Sequence, residues 1–192
     1  MANTDNSDNP VVIKVGGSLF DLPDLQDRLT RFLLSLDSKQ IFLIPGGGAT
    51  ANVVRNWDRI HGLGEESAHW LALRSLSLNA HWLQLLLPDA QISTDLREKG
   101  WRIIDPFVFA QEDEGKQGAL PHVWDATSDS VAARVAIVVG AARLVLLKSI
   151  NIPKDVDWCE AVALGWVDPV FPSVLQQCHW PMTIQAVNLR SN

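Results

Sequence analysis

The sequence predicts an α/β protein, a three-layer αβα sandwich around a mostly parallel central sheet, on three observations. The candidate strands VVIKV (11–15), IFLI (41–44) and LVLL (144–147) are apolar almost throughout rather than on alternate residues, as strands covered on both faces are. Segments with apolar residues at helical spacing separate them, so strand and helix alternate along the chain. The first two strands also end in glycines, GGS and GGG, at the carboxyl edge where open parallel sheets gather ligands.

Taken in order, residues 1–9 are polar and read as a disordered tail, leaving 10–192 as one domain. A chain of 192 residues, 47% hydrophobic, has the length of one domain and buries a sizeable core. After VVIKV, the stretch DLQDRLTRFLLSL (24–36) carries leucines on one side of a helix. Pro45 and three glycines close the second strand, and a helix runs from 49 to about 60. EESAHWLALRSLSLNAHWLQLLL (65–87) reads as a long, largely buried helix stopped by Pro88. Short strands follow near 91–93 and 101–104, and the polar stretch QEDEGKQG (111–118) reads as an exposed hairpin tip. TSDS (127–130) is expected to cap the helix of VAARVAIVVGAA, with Thr127, Ser128 or Asp129 accepting the first free N–H groups. The strand LVLL, a loop, a short helix near 171–177 and a strand near 182–187 complete the chain.

Composition excludes several classes. A net charge of −6 with no basic cluster argues against nucleic acid as a partner. Cys159 and Cys178 match neither a disulfide framework nor a zinc pattern, and no metal-ligand set is expected. The N-terminus MANTDNSDNP lacks the charged and apolar regions of a signal peptide. No apolar run approaches the roughly 20 residues of a membrane helix. The expectation is a cytoplasmic protein with no membrane partner.

The glycines carry the chemistry. Gly16 and Gly17 with Ser18, and Gly46, Gly47 and Gly48, bring bare backbone to the sheet's ligand edge, where N–H groups and a following helix terminus favour anions. Two such cradles suggest a ligand set with two phosphates or two anionic ends. Lys14, two residues before the glycines, either reaches the anion held by Gly16, Gly17 and Ser18 or snorkels from a sheet edge. Asp129, besides capping its helix, would orient Lys14 and hold it charged. A Walker A loop is absent. GGGATA fits the dinucleotide pattern at Gly46, Gly48 and Ala51. That pattern, however, wants an acidic residue ending a strand about 20 residues on, and Glu65 and Glu66 open a helix instead.

Together these stretches resemble the amino acid kinase superfamily, which includes acetylglutamate, aspartate and uridylate kinases. Lys14, Gly16, Gly17 and Ser18 match its strand–K-x-G-G-S, Gly46 to Gly48 its strand–GGG–helix, and Asp129 its Asp-led helix. The resemblance is closest to the aminomethylfuran phosphate kinase branch of methanofuran biosynthesis, through PGGGATANVVR (45–55), HWLAL (69–73), WDATSDS (124–130) and FPSVL (171–175).

The resemblance implies phosphoryl transfer from ATP to a small phosphate or carboxylate acceptor, most directly an aminomethylfuran phosphate. Lys14 and Asp129 become the catalytic residues, and Gly16, Gly17, Ser18 and Lys148 the nucleotide side. Gly46, Gly47, Gly48, Asn52, Arg55, Thr127 and Ser128 form the acceptor side, and Mg²⁺ is held mainly by phosphates. Arg55 otherwise reads as a solvated arginine, and His69 as a core histidine. The superfamily also implies a homo-oligomer, formed through the region of the long helix that carries Trp70 and Trp82. Two departures fall in the nucleotide half, which is reduced here. The loop KSINIPKDVDW (148–158) has no glycine, and Gln176 stands where the branch has lysine. Lys148 and Lys154 are candidate replacement cations. The departures keep a second reading open, a catalytically degenerate relative serving as a ligand-binding or assembly module, and a nicotinamide dehydrogenase is a third.

Overall fold

Six strands, β1 (Val11–Val15), β2 (Gln40–Pro45), β3 (Gln91–Ile92), β4 (Gly100–Ile103), β5 (Arg143–Lys148) and β6 (Thr183–Asn188), form one sheet of order β3-β4-β2-β1-β5-β6 in the computed structural model. The structure describes residues 9–191, and every strand pairing within it is parallel. The helices are α1 (Leu25–Leu34), α2 (Gly48–His61), α3 (Glu65–Leu86), α4 (Pro106–Asp113), α5 (Ser128–Val138), α6 (Trp158–Ala163) and α7 (Phe171–Leu175). No helix among the described residues is long and apolar enough to cross a membrane. Residues 1–8 of the expected tail lie outside the described residues, whereas the Asn9 carbonyl accepts a hydrogen bond from Ser38 Oγ.

Strand alternation sorts the apolar residues into two cores. Val11, Ile13, Val15, Ile41, Leu43, Val145 and Leu147 pack with Leu25, Leu29 and Leu33 of α1 and with Ala80 and Leu83 of α3. On the opposite face Val12, Phe42, Ile44, Leu144 and Leu146 meet Leu73, Phe109, the small residues of α5, and Phe171 and Val174 of α7. Buried on both faces, the central strands need no polar side, which is why their sequence does not alternate. The long helix α3 serves both cores, giving Leu73 to one and Ala80 and Leu83 to the other. Each fully buried leucine contributes on the order of 2–3 kcal/mol.

Two helices were not expected from the sequence. Asp105 starts α4, its Oδ1 accepting from the N–H groups of Phe107 and Val108, with Pro106 at the first helical position. Asp157 starts α6 by accepting from Cys159 N and Glu160 N. The stretch 111–118 is therefore not a hairpin tip. Its first residues finish α4, and Asp113 is buried, with its Oδ2 2.7 Å from Arg134 Nε.

The start of α5 also differs from expectation. The Thr127 side chain makes no capping bond at this terminus. The cap comes instead from Asp168, far along the chain. Its Oδ2 accepts from Thr127 N (3.1 Å), Ser130 N (2.9 Å) and Thr127 Oγ1 (2.8 Å). Its Oδ1 accepts from Ser130 Oγ and from Phe171 N in the first turn of α7. One carboxylate thus ends two helices and ties the C-terminal segment to α5.

Candidate functional site

Lys14 is an even-numbered residue of β1 and shares the α5 face with Val12. In the parallel register Lys14 lies opposite Leu146, so Lys148, the last residue of β5, projects to the same face one pleat repeat further on. The first turn of α5 brings Asp129 between them. Lys14 Nζ lies 3.0 Å from Asp129 Oδ1, and Lys148 Nζ lies 2.8 Å from Oδ2 and 2.9 Å from Oδ1. Lys148 also donates to the Trp166 carbonyl at 2.7 Å. The three side chains are buried, their residues only 6%, 5% and 7% exposed for Lys14, Asp129 and Lys148.

Two ammonium groups share one carboxylate. Burial works to raise the Asp129 carboxyl, but the charges of Lys14 and Lys148 outweigh it and hold the group below its usual range. Burial, reinforced by the charge of Lys14 and opposed by Asp129, lowers Lys148 to about 8. The Asp168 carboxyl is raised, first by burial and then by Asp129. It faces the N–H groups of α5 rather than an ammonium.

The glycine turns touch each other through backbone. A Cβ on Gly17 would lie 2.1 Å from Gly48 N, and one on Gly46 would lie 2.4 Å from Gly17 N. A Cβ on Gly16 would lie 2.6 Å from Leu147 O. Close approach therefore requires these glycines, and Gly48 in addition adopts φ +55°. Gly16 N donates to Leu147 O and Gly46 N to Val15 O. These two amides prolong the sheet and are not turned toward a ligand, which separates Gly16 and Gly46 from the cradle expected of them. Gly47 and Gly48 open α2, where N–H groups lack intrahelical acceptors. Asn79 of α3, which the sequence reading did not single out, braces this turn. Its Nδ2 donates to Gly46 O, Gly47 O and Thr50 Oγ1.

Both turns and both lysines meet at one cavity of about 310 Å³. Gly17, Ser18, Gly47 and Gly48 wall one side, with Lys14 and Lys148 at its base. Arg55, Thr127, Ser128 and His69 complete the set of singled-out residues that line it. The Ser18 hydroxyl pairs with Ser149 Oγ at 2.9 Å, and the Thr127 hydroxyl is given to Asp168. Arg55 is exposed, its guanidinium 5.7 Å from the Trp124 ring centre. Asp129 and Asp168 reach an adjoining cleft of about 550 Å³ that shares Arg55, Thr127 and Lys148 with the cavity. Asn52 lies outside the cavity, in a groove with Phe20 and Trp82, and its Oδ1 accepts from Arg55 Nη1. Lys154 is exposed, and so is Gln176 at the end of α7, and neither lines the cavity. Of the two candidate replacement cations, the geometry retains Lys148 alone, and on a strand rather than in the loop. Among the described residues no three histidine, cysteine or acidic side chains group as a metal site.

No family model matches the chain. It is 23% identical over 196 aligned positions to the (5-(aminomethyl)furan-3-yl)methyl phosphate kinase of Methanocaldococcus jannaschii, covering 93% of this chain and 88% of that one. A uridylate kinase of Methanoculleus marisnigri is 32% identical over 149 residues, 73% of this chain, and the match spans 60% of that kinase's length. The crystal structure of uridylate kinase from Archaeoglobus fulgidus superposes with a TM-score of 0.62 at 16% identity, over 94% of this chain and 92% of that one. That likeness speaks to the fold, and the two sequence relatives are both kinases. From the parallel sheet, the paired glycine turns and these matches, the chain belongs to the amino acid kinase superfamily.

Proposed function

We propose that this chain is an ATP-dependent kinase acting on a small phosphate monoester, with an aminomethylfuran phosphate, the substrate named for the M. jannaschii relative, as its acceptor. One observation carries the reading. Two buried ammonium groups share a single carboxylate at the base of a cavity walled by two glycine turns. A buried excess of positive charge calls for an anion. Phosphoryl transfer asks a protein chiefly for positioning and charge neutralisation.

The residues present fit the groups such a reaction needs. Lys14, Lys148, Gly17 and Ser18 would hold the donor phosphates, and Gly47, Gly48 and Arg55 the acceptor. A Cβ at Gly17 or Gly48 would strike the opposite turn, so the surface offered to phosphate oxygens is backbone. Asp129 aims both ammonium groups. Bound Mg·ATP supplies the phosphoryl group, and the metal suits phosphate oxygens and water better than a protein cage. An acceptor phosphate is already anionic, so the protein needs no general base. Leu78 and Leu85 of α3 and Trp57 and Ile60 of α2 are exposed apolar residues, which supports a homo-oligomer.

The test is transfer of labelled γ-phosphate from ATP to furan, uridine and acetylglutamate acceptors. The reading expects a phosphorylated furan ester and loss of product in Lys14→Ala. The glycine-free 148–158 loop and the exposed Gln176 favour a second reading, a non-catalytic binding module. ATP binding with no transfer to any acceptor would support that instead.

A further inference from the structure

His69 lines a second cavity as well as the main one. This second, more enclosed chamber of about 150 Å³ shares His69 and Leu73 with the first. Its walls are largely apolar, including Phe109, Leu120 and Val131, with His122 beside His69. The two imidazoles stand nearly parallel, 5.5 Å between centres. A cavity of about 150 Å³ admits one small ring such as benzene, so a furan fits where a nucleoside does not.

His69 is only 3% exposed. Its Nδ1 lies 3.1 Å from the Val123 carbonyl, and a carbonyl only accepts, so Nδ1 carries a proton. Burial, together with the nearby His122, lowers the ring below its ordinary range despite that bond, which keeps it neutral. Nε2 is then a bare acceptor on a ring that lines both cavities, and among the described residues nothing hydrogen-bonds to it. No lysine or arginine lines the chamber. Of its two carboxylates, Asp113 is bound bidentately by Arg134, which leaves Glu114 as the unmatched negative charge.

We infer that this chamber takes the non-phosphate end of the acceptor and selects a protonated primary amine, through His69 Nε2 and Glu114. The acceptor then spans two environments, one for its phosphate at Gly47, Gly48 and Arg55, and an accepting, acidic one for its amine. The inference rests on the proposed kinase reading and adds the chemistry of the acceptor's far end.

Calorimetric binding without nucleotide tests it with three ligands: the aminomethylfuran methyl phosphate, the same ester with methyl in place of aminomethyl, and uridine monophosphate. The amine ester is expected to bind about tenfold tighter than the methyl ester, the value of one charge-assisted hydrogen bond, and uridine monophosphate more weakly than either. His69→Asn retains a donor for Val123 O but lacks the Nε2 acceptor, and is expected to bring the amine-to-methyl ratio close to one. Glu114→Gln, at an exposed position, is expected to reduce the ratio without touching the core, and serves if the His69 variant does not fold. Equal affinity of the two esters, or an unchanged ratio in both variants, overturns the amine site and leaves the phosphate site standing. Failure of both esters to bind overturns it together with the kinase reading.

Discussion

Lys148 Nζ sits within 2.9 Å of both oxygens of Asp129, yet burial and the neighbouring Lys14 leave its pKa near 8. The ion pair does not fully restore the charge that burial disfavours. Lys148 therefore exchanges its proton near pH 8.

A phosphate anion in the cavity is expected to reverse this balance. At pH 9 the free protein holds Lys148 largely neutral, and binding of a phosphate ester is expected to draw in close to one proton. Titration calorimetry in buffers of different ionisation heat measures it directly. In the free enzyme kcat/KM is expected to fall as pH rises through about 8. Unfolding follows the same linkage. Between about 8 and the ordinary 10.5 the unfolded chain binds the proton that the native chain has released, so this group's contribution to stability rises with pH across that window. A pH–rate profile flat to 9.5 and no buffer-dependent heat would contradict the assignment.

Asp129 shows a linkage of the same sign in the acidic range. Its carboxyl is held below the ordinary range by Lys14 and Lys148 against the effect of burial. The stability it contributes is fully present above the unfolded pKa and is lost as pH falls through the folded one. Asp129→Ala leaves two ammonium groups buried without a counter-charge and is expected to cost about 3–5 kcal/mol in denaturant unfolding. Turnover is expected to fall by about 10²–10³ at least, since both cations lose their orientation.

Asp168→Ala tests the long-range cap. It removes the acceptor for Thr127 N, Ser130 N, Phe171 N and two hydroxyls, and a loss of about 2 kcal/mol or more is expected. Because the same segment supplies the Trp166 carbonyl to Lys148, the variant should also lower turnover with Asp129 and Lys148 intact. An unfolding midpoint and rate both equal to wild type would show that α5 caps itself.

Much of this site was legible in the sequence, and what was missed has a common cause. Apolar runs located β1, β2 and β5, and helical spacing located α1 and α3. K-x-G-G-S, GGG and TSDS marked Lys14, the glycine turns and Asp129, because backbone approach and helix starts leave local traces. Local signals for α4 and α6 were also present, an aspartate cap at 105 followed by Pro106, and another cap at 157, but the polar residues after 110 suggested a turn. Asp168 and Asn79 left no local trace. An aspartate before a proline and an asparagine inside a helix acquire their roles only from partners brought close by the fold. The glycines also proved to have two jobs, since Gly46 serves the packing of turn on turn and Gly16 the close approach to Leu147 of β5.

Gly17→Ala and Gly62→Ala make a controlled pair on that last point. The Gly17 variant forces a Cβ to within 2.1 Å of a backbone nitrogen, whereas Gly62 has open space and a φ of +61°. The Gly62 change is expected to cost about 1 kcal/mol, the ordinary penalty of a left-handed residue. The Gly17 change must part the two turns and is expected to cost at least about 1–3 kcal/mol more, as overpacking does, and to abolish phosphate binding. Equal melting temperatures for the two variants would mean that the turns separate freely.

The last prediction concerns the lysine that the related branch carries where this chain has Gln176. A phosphoryl group in transfer spreads charge over its oxygens, so loss of one of two cations would be costly at the site. Gln176, however, is exposed at the end of α7 and lines no part of the cavity, whereas Lys148 is buried there beside Asp129. If Lys148 serves as the second cation, restoring lysine by Gln176→Lys is expected to leave kcat/KM for Mg·ATP and the furan ester within about twofold of wild type. Lys148→Met keeps the volume and removes the charge, and is expected to lower kcat/KM by about 10² or more, the effect of deleting one stabilising donor. A marked gain from Gln176→Lys would show instead that α7 moves toward the cavity during the reaction, and that the compensation by Lys148 is incomplete.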